Sequence, residues 1–434
     1  MKKNVYVTVL LLLSCLLFFV FVLGVSAIED VNVEKAEYVY LYNVDNKKAL
    51  YKQKENDVIF PGSTVKIMTG LLAVEYYEDD FDRTITVSEK AVKGVLGHNV
   101  SLKAGENVTV RDMLYAMLIG GANDAARVLA FEIASSEEEF VKLMNKRAKE
   151  LGAVNTVYTN CTGMHDPHMV TTAYDTFLIS LEAYANADLM DITSTKRYEM
   201  PANNVSYGRR ISNKNFFVSD NIEQKYYYSS ARGLNAGSTY EAGYSLVTSA
   251  TNEGLTYLCI VMGANSVSES GVTTVNSYTE AKKLLDWAFD NFGYVKLVDK
   301  SMMICEIPVS MSADVDHVTV VPANQLEVFI EKDIDPKKDV LLVHEVEKQL
   351  SAPIDAGEEV GVLTVSYKGE VLGEIKLVTN NAVEGSNFLI IWDKLLELTG
   401  SKVFVIITVV VILIFFVYVF TKSIVLYKKT GSKK

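Results

Sequence analysis

Phe60-Pro61-Gly62-Ser63-Thr64-Val65-Lys66-Ile67-Met68-Thr69 starts with a break in the chain and runs into a helix. Pro61-Gly62 interrupts the strand pattern before it. From Ser63 the apolar residues Val65, Met68, Leu72 and Tyr76 recur at helical spacing to about Tyr77. Ser63 and Lys66 are three positions apart and therefore project from one helix face, about one turn from each other. A serine hydroxyl becomes a nucleophile when a neighbour removes its proton. A lysine can do so where burial and nearby positive groups lower its pKa. The helix N-terminus adds a partial positive charge that favours an anionic oxygen. Taken alone the pair is weak, because Ser is a common N-cap and Lys a common helix-surface residue.

The pattern around this segment indicates an α/β domain. Residues 38–44 and Ala49-Leu50-Tyr51 flank Asp45-Asn46-Lys47-Lys48 and read as strand, turn, strand. Helical patterns follow at 111–119, 123–134, 136–151 and 173–186. Strand-like runs return at 242–250 and 256–262, before an amphipathic helix at about 278–291. Strands thus open and close the domain while helices fill its middle. This order predicts an antiparallel sheet built from distant segments, with a helical region packed on it. Beyond Gly293 the apolar stretches 315–321, 325–330, 340–346, 361–367 and 371–378 alternate with turn residues, the pattern of a separate, small all-β domain.

Both ends of the chain point to a membrane. Met1-Lys2-Lys3, the apolar run from Val5 to Val25 and the small-residue end Val25-Ser26-Ala27 read as a signal peptide, residues 1–27. An uncharged run from Val403 to Phe420 has, at about 1.5 Å per residue, a length of about 27 Å, enough for a hydrocarbon core. Lys422, Lys428, Lys429, Lys433 and Lys434 follow it and assign the tail to the cytoplasmic side. The expected division is 37–292 for the first domain, 293–382 for the second, and 383–402 for a linker whose 388–398 segment is amphipathic. A transmembrane helix at 403–421 and a basic tail at 422–434 complete it. The net charge is −12 and no basic stripe lies between the apolar runs, so nucleic-acid binding has no support. Cys161, Cys259 and Cys305 are too scattered for a disulfide framework or a zinc cluster. His165, Asp166 and His168 lack a defined ligand set and read as loop polarity, so no metal or cofactor is expected.

The Ser63-Thr64-Val65-Lys66 segment resembles the Ser-x-x-Lys motif of the serine-type D-alanyl-D-alanine carboxypeptidases, the low-molecular-weight penicillin-binding proteins. Further segments resemble the same family in the same order. These are Gly105-Glu106 with Val108 to Leu114, Ala122-Asn123-Asp124-Ala125-Ala126, Thr162-Gly163-Met164 with Asp166-Pro167, Thr172-Ala173-Tyr174-Asp175, Glu241-Ala242-Gly243-Tyr244, and, in the β domain, Ala352-Pro353-Ile354 with Gly357-Glu358-Glu359-Val360-Gly361. The resemblance spans about 37 to 382. It implies a transpeptidase/β-lactamase-like domain, a small β-sandwich and a membrane attachment. It also implies attack by Ser63 on the D-Ala-D-Ala bond of a peptidoglycan stem peptide, release of D-alanine, and hydrolysis of the acyl-enzyme. β-Lactams would enter as acylating mimics. Backbone N–H groups of Ser63 and Ser238 would form the oxyanion hole.

Two family motifs differ here. Ser-x-Asn reads Gly121-Ala122-Asn123, so the serine is missing while Asn123 remains to orient Lys66. Lys-Thr-Gly reads Asn235-Ala236-Gly237, without the cation and hydroxyl that receive a substrate carboxylate. By resemblance, the catalytic set is Ser63, Lys66 and Asn123, and the substrate-binding set is Asn235, Gly237 and Ser238. Arg232 and Lys225 are candidates for the missing cation, although strand alternation turns Arg232 away from the face of Asn235. The sequence therefore leaves two functions open. One is a wall-peptide hydrolase; the other is a catalytically impaired, membrane-tethered module that binds wall peptide or a partner protein. It does not determine the oligomeric state.

Overall fold

The computed structural model describes residues 31–78, 80–219 and 224–431. The signal-peptide segment and the terminal Lys433 and Lys434 lie outside the described residues. The chain divides after Gly293 into two compact units.

In the first unit, β1 (Tyr38–Asn43) and β2 (Lys48–Gln53) form a hairpin around Asp45-Asn46. A single 3₁₀ turn, Gly62–Thr64, leads into α1 (Val65–Tyr77). The short strands β3 (Thr84–Thr86) and β4 (Asn107–Thr109) pair with each other. Helices α2 (Val110–Leu118), α3 (Asn123–Ala134), α4 (Glu137–Glu150), α5 (Ala173–Ala185) and α6 (Ala187–Ser194) follow. Most of them start at polar caps: Thr109 and Asp112 form a reciprocal capping box, and Ser136, Thr172 and Asn186 each accept a backbone N–H of the next turn. The hairpin β5 (Arg197–Met200) and β6 (Arg209–Ser212) precedes β7 (Ala231–Thr239), β8 (Gly243–Asn252) and β9 (Leu255–Ala264). A small hairpin, β10 (Ser266–Glu269) and β11 (Val272–Val275), then leads to α7 (Asn276–Asn291).

The main sheet has the order β2-β1-β9-β8-β7, with every pairing antiparallel. Its first strand lies beside its last, Tyr40 opposite Ile260, as the strand–helix–strand order of the sequence predicted. β9 is buried along nearly its whole length because both faces are covered. Leu258, Ile260 and Met262 join the helical core, while Tyr257 stacks edge-on against Phe289 of α7. α1 is apolar almost all round and buried between α2, α3, α4, α5 and α6, so a strand-fed turn delivers its N-terminus directly to the sheet. β5, β6, β10 and β11 are four residues each, too short to give a periodic signal.

The second unit contains a six-stranded sheet of order β16-β18-β19-β14-β13-β17 and the pair β12–β15. Its strands are β12 (Phe292–Val298), β13 (Cys305–Ser310), β14 (His317–Pro322), β15 (Leu326–Glu331), β16 (Val340–Val346), β17 (Leu350–Ser351), β18 (Glu359–Tyr367) and β19 (Glu370–Thr379). Val320, Leu363, Val365 and Leu377 are fully buried at its centre. The helix α8 (Asn387–Gly400) precedes α9 (Lys402–Gly431). α9 is exposed from Lys402 to Tyr427, and an 18-residue window within that stretch has a mean hydropathy of 3.4; the helix is long and apolar enough to cross a membrane. It continues past Phe420 because Lys, Ile, Val and Leu propagate a helix and no Gly or Pro interrupts it before Gly431.

Candidate active site

Ser63 lies on the 3₁₀ turn that opens α1, partly exposed, with Thr64 Oγ1 donating to Pro61 O at 2.8 Å to lock the turn. One turn on, Lys66 is 2% exposed and its Nζ donates to Thr162 O at 2.6 Å. Burial lowers the Lys66 pKa from its ordinary value to about 8; Cys161 acts in the opposite sense and the charge of Lys214 in the same sense. The loop beneath is fixed from several sides. Thr69 Oγ1 donates to Cys161 O at 2.8 Å, and Asn160 Oδ1 accepts from the backbone N–H groups of Thr162 and Gly163. This places Thr162 O under the ammonium of Lys66.

Asn123 begins α3 and is buried. Its Nδ2 donates to Leu96 O and its backbone N–H to His98 O, both at 2.8 Å. On the opposite wall, Ala236, Gly237 and Ser238 of β7 face Ser63. The approach is close: a Cβ built on Gly237 would lie 2.4 Å from Ser63 Cβ. Ser63, Lys66, Asn123, Gly237 and Ser238 therefore line one cavity of about 520 Å³.

Asn235 is the exception among the expected site residues. It is buried, does not line the cavity, and its Oδ1 has no hydrogen-bond partner among the described residues. The strand pairing is irregular between Arg232 and Leu234, and Arg232 opens to a separate groove with Tyr184, Ser229, Ser230 and Thr251. Lys225 Nζ donates to Thr273 O at 2.7 Å. Neither residue lines the cavity of Ser63.

The second cation in the cavity is Lys214, which the sequence reading missed. A Cβ built on Gly121 would lie 3.5 Å from Lys214 Cδ and 4.0 Å from its Nζ, so this side chain extends over Gly121. The backbone that presents it is pinned. Lys214 N–H donates to Ile119 O at 2.9 Å, Asn213 Nδ2 to Thr193 O at 2.8 Å, and Asn215 Nδ2 to Gly233 O at 3.1 Å. Tyr278 of α7 accepts from Phe216 N–H at 3.2 Å and donates to Lys214 O at 3.1 Å. Asn213-Lys214-Asn215, a lysine between two buried asparagines, was the available signal. The partners of those asparagines come from α6 and β7, distant in sequence. His165 stacks edge-on against Phe60, His168 Nδ1 lies 3.2 Å from Asp166 Oδ1, and among the described residues no cluster of three metal-ligating side chains occurs.

The model of the D-alanyl-D-alanine carboxypeptidase family matches residues 26–266, and that of the penicillin-binding protein 5 C-terminal domain matches residues 292–385. The chain belongs to the D-alanyl-D-alanine carboxypeptidase family. Among the family's curated members, D-alanyl-D-alanine carboxypeptidase DacF of Bacillus subtilis (strain 168) is 30% identical over 361 residues, covering 82% of this chain and 87% of its own. DacC of Escherichia coli (strain K12) is 26% identical over 385 residues, with 85% and 89% covered. The fold matches the crystal structure of penicillin binding protein 6B from Escherichia coli with a TM-score of 0.59, at 22% identity, covering 82% of this chain and 99% of the other. As in the expectation from sequence, this carboxypeptidase-family chain combines a mixed α/β domain with a C-terminal β domain and an apolar C-terminal helix.

Proposed function

We propose that this chain hydrolyses the terminal D-Ala-D-Ala bond of peptidoglycan stem peptides through an acyl-enzyme at Ser63. The observation that carries the reading is the pairing of a partly exposed Ser63 with a buried Lys66 one helical turn away, whose pKa of about 8 leaves a basic fraction near neutral pH. In the proposed reaction, neutral Lys66 takes the hydroxyl proton as Ser63 Oγ attacks the carbonyl carbon. The backbone N–H groups of Ser63 and Ser238 stabilise the oxyanion, a role that needs no particular side chain and tolerates the changes at 235 and 236. Asn123 orients Lys66 and the substrate carbonyl. Lys214 supplies the cation for the terminal carboxylate in place of Asn235, since charge-assisted contacts are about twice as strong as neutral ones. Water then cleaves the acyl ester. β-Lactams acylate the same serine. α9 holds the enzyme in the membrane with both folded units on the wall side.

A fluorescent penicillin and a D-alanine-release assay test this reading together. Labelling that is lost in Ser63→Ala, with D-alanine released from a pentapeptide by the wild type, is expected. Labelling without release would make the chain an acyl trap, and no labelling would sink the nucleophilic role of Ser63.

A further inference from the structure

When the peptide C–N bond breaks, the departing amine must gain a proton. A hydroxyl at position 121 would be one carrier from Lys66 to that nitrogen, and Gly121 has none. The space into which a side chain at 121 would project is occupied by Lys214, with Nζ 4.0 Å from the position of the missing Cβ. We propose that Lys214 is the acid that protonates the leaving amine; this rests on acylation of Ser63 as proposed above.

Asn123, Tyr278 and His98, which also line the cavity, are poorer candidates. An Asn123 amide has no transferable proton at neutral pH, and its Nδ2 is engaged by Leu96 O. The Tyr278 hydroxyl is committed to the backbone of Lys214 and Phe216. Burial, with the Lys214 charge, holds the His98 pKa below its ordinary value, which leaves a neutral imidazole. Lys214 is held on a pinned backbone and sufficiently close to Lys66 for its positive charge to lower the Lys66 pKa. Burial lowers its own pKa, which makes it a stronger acid than a solvated lysine, and among the described residues no carboxylate pairs with it.

The step balances without a co-reactant. The Ser63 Oγ–C bond forms, the C–N bond breaks, and the hydroxyl proton moves to Lys66 Nζ. Lys214 gives a proton to the leaving nitrogen, and protonated Lys66 restores Lys214. The net transfer is one proton from Oγ to the amine of D-alanine.

The experiment compares two substrates in the full-length, detergent-solubilised protein. One is an N-acyl-D-Ala-D-Ala peptide with a free terminal carboxylate, cleaved at its amide bond. The other is the N-acyl-D-Ala thioester of thioglycolate, which keeps the terminal carboxylate but leaves as a thiolate that needs no proton. Lys214→Arg keeps a cation for the carboxylate, yet a guanidinium does not release a proton near neutral pH. Its kcat on the amide is expected to fall at least tenfold more than its kcat on the thioester, relative to wild type. Lys214→Met, which removes the cation as well, is expected to raise KM for both substrates. Unchanged melting curves show that the variants are folded. Equal losses on amide and thioester in Lys214→Arg would overturn the proposal. No acylation of the wild type by either substrate would overturn the hydrolase reading and this one with it.

Discussion

Gly237 of β7 packs directly against Ser63, with no room between them for a methyl group: an added Cβ would lie 2.4 Å from Ser63 Cβ and 2.7 Å from Oγ. The nucleophile is thus positioned by a strand edge as well as by its own helix. Gly237→Ala is expected to displace Ser63 and slow acylation by a fluorescent penicillin about 10²-fold, the scale of a misplacement of about 1 Å. The melting temperature should change far less than the rate, because the added methyl presses on the open cavity side of the turn. Wild-type labelling by this variant would show that β7 does not set the geometry of Ser63.

Lys66 gives a pH prediction. The attacking serine needs neutral Lys66, so kcat/KM for acylation should rise with pH and level off above about 8. The same depressed pKa affects stability. Between about 8 and its ordinary value of 10.5, the unfolded state binds more protons at this site than the folded state, so the contribution of Lys66 to stability rises with pH across that window. Below it, holding the charged lysine in the interior costs roughly 3 kcal/mol, at about 1.4 kcal/mol for each pKa unit. Lys66→Met should abolish acylation. Its stability advantage over wild type, measured by urea unfolding, should be largest at pH 7 and shrink toward pH 10. An advantage independent of pH would contradict the depressed pKa.

Placing a serine at position 121 is expected to slow turnover. Gly121 has φ +71°, a left-handed conformation that costs an L-residue about 1–2 kcal/mol, and Lys214 fills the adjacent space. Gly121→Ser should lower the rate of D-alanine release at least several-fold. A gain in rate would show that Lys214 yields the space and that the hydroxyl is the better carrier.

Glu106 is completely buried in contact with Arg209, at 2.6 Å, and Asn203, at 2.7 Å. Burial alone would raise its pKa, but the Arg209 and Asn203 hydrogen bonds outweigh this and lower it. Removing one partner of a buried pair leaves an uncompensated charge, so Arg209→Met should destabilise the first unit by about 3 kcal/mol in urea unfolding at pH 7. The loss should diminish as pH falls through the carboxylate range, where protonation neutralises the stranded Glu106. A loss below about 1 kcal/mol would mean that Asn203 and solvent suffice.

Deleting residues 402–434 is expected to move the protein from the membrane fraction to the soluble fraction, because α9 is long and apolar enough to span a bilayer. Retention of the truncated chain on membranes would assign anchoring to α8, whose exposed Phe388, Ile391, Trp392 and Leu395 also favour a lipid interface, or to an uncleaved Val5–Val25 run.

The sequence by itself determined the helix that follows Ser63 and carries Lys66, the antiparallel sheet of distant segments, the β domain and the apolar C-terminal helix. Each is a consequence of local periodicity and of turn chemistry at Pro61-Gly62 or Asp45-Asn46, which act within a few residues. Asn123, Gly237 and Ser238 were expected from the resemblance to the family's motifs, and they line the cavity of Ser63. What only the tertiary structure decided is which cation shares the cavity. Lys214 comes from a short segment without periodicity, set in place by Ile119, Thr193, Gly233 and Tyr278, four residues from four different parts of the chain. Its position over Gly121, like the exclusion of Asn235 from the cavity, follows from how β7, α6 and α7 pack together. Long-range packing of that kind leaves no mark in residue spacing. The Ser63–Lys66 pair is therefore local chemistry, and its electrostatic partner is a product of the fold.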